Sequence, residues 1–327
     1  MSYQLLEPFT SAWLKKELAV GGPSLTELPV DEARRLMRQG QGETQTSADL
    51  LLELHHSPMM DFYVLRPRVS HAPLPVLVYL HGGGWVLGDI ETHKRLVQDL
   101  ARYVGCAIVF PEYPRAPEAQ FPVPVESTFA FLEWLVGQGM MLNLDMRLLA
   151  LAGDSSGGNL AAVMAVLAKQ RGSPTIRLQA LLYPVTDCDF TRESYTQFGS
   201  GFFLDTALIK WFWQQYSPNQ EQRTDPRACP LRTPLKKLIG VAPALVITAE
   251  CDILRDEGEA YASRLSQAGV PTALWRSSGT VHSFLLVNEL SNSKPAKRAF
   301  IILAEQLRDA FVFKDNDLPD HLCRRDC

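Results

Sequence analysis

The run LLALAGDSSGGNLAAVMAVLAK, Leu148 to Lys169, decides how the rest of the chain is read. Leu148 to Ala152 is apolar and of strand length, and from Asn159 onward Ala, Leu, Val and Met follow without Pro or Gly, as in a helix. Gly153-Asp154-Ser155-Ser156-Gly157 joins the two, a G-x-S-x-G pattern set between strand and helix. A serine held at so tight a turn adopts strained backbone, and the positions two before and two after it must be nearly free of side chain. Gly153 and Gly157 meet that demand. The turn then presents the Ser155 hydroxyl above the sheet edge, with the Ser156 amide beside it at the start of the helix, an arrangement known as a nucleophile elbow.

Further short apolar runs flank this segment: Asp61 to Arg66, Val76 to Leu80, Ala107 to Phe110, Leu178 to Tyr183, Ala244 to Ala249 and Thr272 to Trp275. Amphipathic stretches of helix length separate most of them, among them His93 to Val104, Val125 to Gly137 and Asp256 to Ala268. The alternation predicts an α/β fold with a mostly parallel, doubly wound sheet. Residues 1–55 hold two helix-like stretches, Ser11 to Val20 and Val30 to Gln39, and read as the first part of a helical cap. Residues 185–240 interrupt the alternation and carry Phe202, Phe203, Trp211, Phe212, Trp213 and Tyr216, so they are expected to form the second part. Most of these aromatics are expected in helix core, with Phe203, Trp211 and Phe212 as candidates for an apolar substrate wall. The core is then assigned to 56–184 and 241–313, with a polar tail at 314–327.

A chain of 327 residues with 46% hydrophobic and 21% charged residues suits one large α/β domain with an appendage. Its formal net charge of −4 supplies no basic field, which sets aside nucleic acid and anionic membranes as main partners. The N-terminal MSYQLLEPFTSAWLKKEL has no basic segment leading into an unbroken apolar core, so no secretory signal is expected. Apolar runs fall short of the roughly 18 residues a transmembrane helix needs. Cys106, Cys188, Cys229, Cys251, Cys323 and Cys327 show neither a C-x-x-C pair nor a metal-like spacing. Reduced thiols in a cytoplasmic enzyme are the expectation, with Cys323 and Cys327 open to oxidation in the tail. No metal site is expected from them.

A serine hydroxyl becomes a useful nucleophile when a base removes its proton and a third group orients that base. His282, in Gly279-Thr280-Val281-His282-Ser283-Phe284, follows the last expected strand on a loop that begins with Gly. Asp252 follows the strand Ala244 to Ala249, which places it at the same sheet edge; Glu250 and Asp256 are its neighbours and competitors, Asp256 being suited to a helix start. Of the other histidines, His81 opens a glycine run and suits a bracing role, while His55, His56, His71, His93 and His321 read as solvated or structural. His81-Gly82-Gly83-Gly84-Trp85 follows the strand Val76 to Leu80. Its glycines let backbone amides approach a substrate, and two of them together with the Ser156 amide would hold a tetrahedral oxyanion. A phosphate cradle is the weaker reading, because both G-x-G-x-x-G and G-K-[ST] are missing. The order Ser, Asp, His is that of an α/β-hydrolase.

The glycine run, Gly153 to Asn159, Asp252-Ile253-Leu254-Arg255-Asp256-Glu257-Gly258 and His282-Ser283-Phe284 together resemble the hormone-sensitive-lipase-like esterases, the bacterial branch whose elbow reads G-D-S-A-G. The resemblance runs from about Val76 to Phe284, with an N-terminal cap similar in length and position. It implies Ser155 as nucleophile, His282 as general base and acid, Asp252 as the orienting carboxylate, and the amides of Gly83, Gly84 and Ser156 as oxyanion donors. It further implies a cofactor-free carboxylesterase for short to medium acyl esters, in a family where homodimers occur. Two departures stand out: Ser156 replaces Ala and adds a hydroxyl beside the acyl carbonyl, and Glu112-Tyr113-Pro114-Arg115-Ala116-Pro117-Glu118 departs from D-Y-R-L-A-P-E, which puts the local salt bridges of that loop in doubt. Two alternatives stay open. A non-catalytic small-ligand receptor is one, since plant gibberellin receptors share a G-D-S-S-G-G-N elbow but lack the histidine that this chain keeps. A hydrolase of an amide, lactone or acetylated sugar is the other.

Overall fold

The computed structural model describes residues 3–21, 24–70 and 72–312. Cys323, Cys327, the tail 314–327, His71 and His321 lie outside the described residues. In chain order the elements are α1 (Pro8–Val20), α2 (Val30–Gln41), β1 (Leu50–His56), β2 (Asp61–Pro67), β3 (Leu74–Leu80), α3 (Ile90–Leu100), β4 (Ala107–Pro111), α4 (Val123–Gln138), β5 (Leu144–Asp154), α5 (Ser156–Arg171), β6 (Gln179–Leu182), α6 (Glu193–Phe198), α7 (Thr206–Tyr216), α8 (Leu235–Leu238), β7 (Ala244–Cys251), α9 (Arg255–Gln267), β8 (Thr272–Val281) and α10 (Lys294–Ala310). One sheet takes all the strands in the order β1-β2-β4-β3-β5-β6-β7-β8.

Strands β4, β3, β5, β6, β7 and β8 run parallel, and β1 and β2 add an antiparallel edge. The expected mostly parallel α/β sheet is borne out. Parallel strands are covered on both faces, which is why β3 and β4 read as continuous apolar runs and are buried throughout their central residues. Helix α5 is buried along nearly its whole length, so it lacks the polar stripe of a surface helix. Local signals place the helix starts: Asp89 and Thr92 form a capping box at α3, and Asp205 accepts the Leu208 amide at α7 at 2.7 Å.

Two expectations need correction. The division at 55/56 cuts through β1, which pairs with β2 from Leu50↔Pro67 to His56↔Asp61, so the sheet begins before residue 56. Leu50-Leu51-Leu52-Glu53-Leu54 does not alternate, so the period-two signal of a half-buried strand is missing there. The last strand also runs on past Trp275 to Val281 through a register shift opposite Ala249 and Cys251. Gly279, with φ of 74°, makes this bulge, and its amide donates to Glu250 Oε2 at 2.7 Å.

Topology fixes where chemistry can gather. From β3 the chain moves outward to β4 and then returns to the other side of β3 for β5, so the crevice at the ends of β3 and β5 is a topological switch point. Gly82 to Gly84 follow β3 and Ser155 follows β5 at that crevice, while Asp252 and His282 are the first residues past β7 and β8.

Candidate active site

Ser155 stands between β5 and α5 with φ 54° and ψ −118°, a conformation that L-residues rarely adopt. A Cβ at Gly153 would run into the Gly157 carbonyl, and one at Gly157 into the carbonyls of Leu80 and His81. The steric demand read from the G-x-S-x-G spacing is therefore met by backbone packed against backbone.

His282 Nε2 lies 3.0 Å from Ser155 Oγ, and His282 Nδ1 lies 2.7 Å from Asp252 Oδ2. The second carboxylate oxygen of Asp252 accepts the Leu254 amide at 3.0 Å, which locks the carboxylate in place. All three side chains are nearly closed to solvent, with Ser155 7%, Asp252 1% and His282 4% exposed. The two competing carboxylates are engaged elsewhere: Glu250 at the Gly279 bulge, and Asp256 with the Ser194 amide at 2.7 Å and Arg255 at 2.9 Å. Such a chain can pass a proton from hydroxyl to imidazole while the carboxylate holds the ring's orientation.

Gly83, Gly84 and Ser155 line one cavity of about 360 Å³ together with His282, Phe203 and Phe212. The helices far from the motif in sequence close it: Trp13, Leu36 and Met37 from α1 and α2, and Leu208 and Ile209 from α7. Trp13 meets Phe203 with ring centroids 5.2 Å apart, so the N-terminal segment and the 185–240 interval touch each other over the site. The Phe212 ring packs so closely on Gly84 that a Cβ there would collide with it. Trp211, expected on the same wall, does not line the cavity. One helical step of about 100° turns it away, and its ring is tilted against that of Phe212 with centroids 5.4 Å apart.

Beneath the glycine run lies a buried polar cluster that sequence reasoning missed. Asp154 Oδ1 accepts the Gly82 amide at 3.0 Å and the Tyr79 hydroxyl at 3.0 Å, and His93 Nε2 lies 3.1 Å away. Burial raises the Asp154 carboxyl, but His93, the Tyr79 hydroxyl and His81 together hold the group below its ordinary value. Burial drives His81 well below the usual imidazole range; its ring stacks on Tyr113 at 4.2 Å and its Nδ1 lies 2.9 Å from the Gly82 carbonyl oxygen. The only signal for Asp154 was a charged residue placed between an apolar strand and an apolar helix.

Ser156 differs from its expected setting. Its hydroxyl does not face an acyl carbonyl; it accepts the Trp85 amide at 3.1 Å beneath the glycine run. The departing segment Glu112 to Glu118 is also well anchored. Glu112 accepts the Ile90 amide at 2.9 Å, Tyr113 donates to the His81 carbonyl at 2.8 Å, and Arg34 of α2 grips Glu118 through two bonds of 2.7 and 2.8 Å. Arg34 also donates to the carbonyls of Val86 and Ala116, tying α2 to the glycine run's exit. On the other side, Arg95 of α3 donates to the carbonyls of Leu285 and Leu286 and to Asn288 and holds the turn after His282.

Residues 77–286 match a protein family described as having the alpha/beta hydrolase fold. The chain belongs to the alpha/beta hydrolase fold family. An ethyl acetate hydrolase of Pseudomonas putida is 35% identical over 86% of this chain and 90% of its own length, and an esterase of Gibberella moniliformis is 37% identical over 89% and 92%. The crystal structure of a thermostable esterase from Pseudomonas putida superposes with a TM-score of 0.92 at 38% identity, covering 94% of this chain and 98% of that one. The resemblance to hormone-sensitive-lipase-like esterases is thereby borne out, and this α/β-hydrolase is a carboxylic ester hydrolase. Among the described residues, no helix is long and apolar enough to cross a membrane.

Proposed function

We propose that the chain is a serine carboxylesterase that cleaves short- to medium-chain acyl esters through an acyl-Ser155 intermediate. The observation that carries this reading is the bridging position of His282, 3.0 Å from Ser155 Oγ and 2.7 Å from Asp252 Oδ2 at the floor of the cavity. His282 Nε2 takes the Ser155 proton as Oγ attacks the ester carbonyl, and Asp252 stabilises the resulting imidazolium. The amides of Gly83, Gly84 and Ser156 hold the oxyanion, the last at the N-terminus of α5, where the helix dipole favours negative charge. Collapse expels the alcohol, which takes its proton from His282. Water then repeats the sequence on the acyl-enzyme, releasing the acid and restoring Ser155.

The cavity's volume of about 360 Å³ sits near the lower end for ligand pockets, which suits acyl groups of a few carbons. Phe203 and Phe212 supply apolar wall for the acyl or alcohol part. The name of the ethyl acetate hydrolase relative supports a small ester as substrate.

The test is hydrolysis of p-nitrophenyl esters from acetate to laurate, with and without a serine-directed phosphonate, followed by intact mass and by the Ser155→Ala variant. Turnover highest at short chains, one phosphonate on Ser155, and loss of nearly all activity in Ser155→Ala are expected, with a residual of roughly 10³- to 10⁴-fold over water from the oxyanion site. Undiminished turnover in Ser155→Ala would overturn the mechanism. Tight ligand binding without turnover of any ester would point instead to a receptor.

A further inference from the structure

Outside the site, a second cluster of reactive groups lies at the base of the segment that carries α6 and α7. Cys188 sits in the loop after β6, half-buried, and Cys229 is fully buried just before the turn Pro230–Arg232. Their Sγ atoms and a carboxylate oxygen of Asp187 all lie within 4.8 Å of one another. Both cysteines are free thiols. Arg232 Nη2 donates to Cys188 Sγ at 3.4 Å, and the Cys188 thiol faces the Arg223 carbonyl at 3.8 Å. Asp187 is already held by Arg192 at 2.9 Å and by Arg232 at 2.7 Å, so the cluster is a poor cation site with its carboxylate engaged by guanidiniums.

This environment treats the two thiols differently. The hydrogen bond from Cys229, and then the charge of Arg232 with that of Arg223, pull the Cys188 thiol below the ordinary range against the opposing effects of burial and Asp187. The same contact and burial push the Cys229 thiol up. A half-buried thiol drawn toward its thiolate, with a buried second sulfur within 4.8 Å, is the arrangement of an attacking and a resolving cysteine.

We infer that Cys188 and Cys229 form a modification site at which a hydroperoxide oxidises the pair to an intramolecular disulfide that ties together the two ends of the segment bearing α6 and α7. The Cys188 thiolate attacks the peroxide, an S–O bond forms as the O–O bond breaks, and the alcohol or water leaves with a proton. The Cys229 sulfur then attacks the Cys188 sulfenic acid, the S–S bond forms, and water leaves. Two thiols give up two electrons in all and the peroxide accepts them. Phe203, Leu208 and Phe212 of the cavity wall lie between the two cysteines, so the bond would anchor that wall at its base.

The test treats the native full chain at neutral pH with a slight excess of hydrogen peroxide, removes the peroxide, unfolds the chain in urea to block remaining thiols with N-ethylmaleimide, and maps peptides without reduction. A peptide pair linking Cys188 to Cys229, about 2 Da lighter than the two thiols and lost on treatment with dithiothreitol, is expected. In Cys229→Ser the reaction should halt at a Cys188 sulfenic acid trapped by dimedone, and in Cys188→Ser the Cys229 thiol should stay reduced. Recovery of both cysteines as maleimide adducts after peroxide, or a Cys188 sulfinic acid in the unsubstituted chain with no linked peptide, would overturn the proposal.

Discussion

Ser156 and Phe212 show how single side chains set the site's shape. Removing the Ser156 hydroxyl leaves the buried Trp85 amide without its acceptor, so Ser156→Ala should cost roughly 1–3 kcal/mol of stability, read from urea unfolding. An unchanged midpoint would mean that water or a shift of the glycine run replaces the bond. Phe212 and Trp211 are adjacent in sequence but differ in what they touch. Phe212→Ala should widen the cavity over Gly84 and move the acyl-chain optimum toward longer esters, whereas Trp211→Ala should leave the optimum where it is. Equal shifts in the two variants would put Trp211 back on the substrate wall. The G-x-S-x-G spacing disclosed Ser155 because backbone crowding at that turn leaves no latitude in its glycines. Nothing comparable marks Trp211 or Phe212, since which side of a helix faces a cavity depends on what the helix packs against.

Helix α9 links the loop after β7 to that after β6. Its Glu257 is fully buried, accepts the amides of Thr186 at 2.7 Å and Asp187 at 3.1 Å, and takes a bond from the Tyr195 hydroxyl at 3.3 Å. Burial pushes its carboxyl from the ordinary 4.5 up to about 8, against the two amide bonds. The folded chain therefore keeps a proton that the unfolded chain releases between these values. Stability from this group is full below pH 4.5 and is lost as pH rises toward 8, by up to about 1.4 kcal/mol for each pH unit crossed. Glu257→Gln stays neutral throughout, so its stability relative to the parent should improve steadily across that window. A constant difference from pH 5 to 8 would show that the amides keep Glu257 ionised. The motif containing Glu257 was visible in the sequence through Asp252 and Gly258, but its hold on the β6 loop was not, because the partners lie some seventy positions upstream.

Three pieces of chain meet at the candidate active site: the N-terminal helices, the segment with α6 and α7, and the ends of β3, β5, β7 and β8. The sheet is held by ladders along its full width, while the helices above the cavity rest on side-chain contacts such as Trp13 with Phe203 and Arg34 with Glu118. Regions with fewer buried contacts open first, so ester turnover should fall at urea concentrations below the far-ultraviolet circular dichroism transition. Coincident loss of activity and secondary structure would make the helices part of one cooperative unit with the sheet.

The parallel α/β architecture, the serine turn, and the order in which serine, aspartate and histidine arrive were legible in the linear chain. Each rests on local rules: apolar runs covered on both faces, glycines at a crowded turn, polar residues just past strand ends. The edge strand Leu50–His56, the bulge at Gly279 and the Asp154 cluster under the glycine run were decided only when the sheet brought distant segments together. Those features are settled by which backbone amide or ring lies opposite a side chain, a relation that spacing along one chain does not contain.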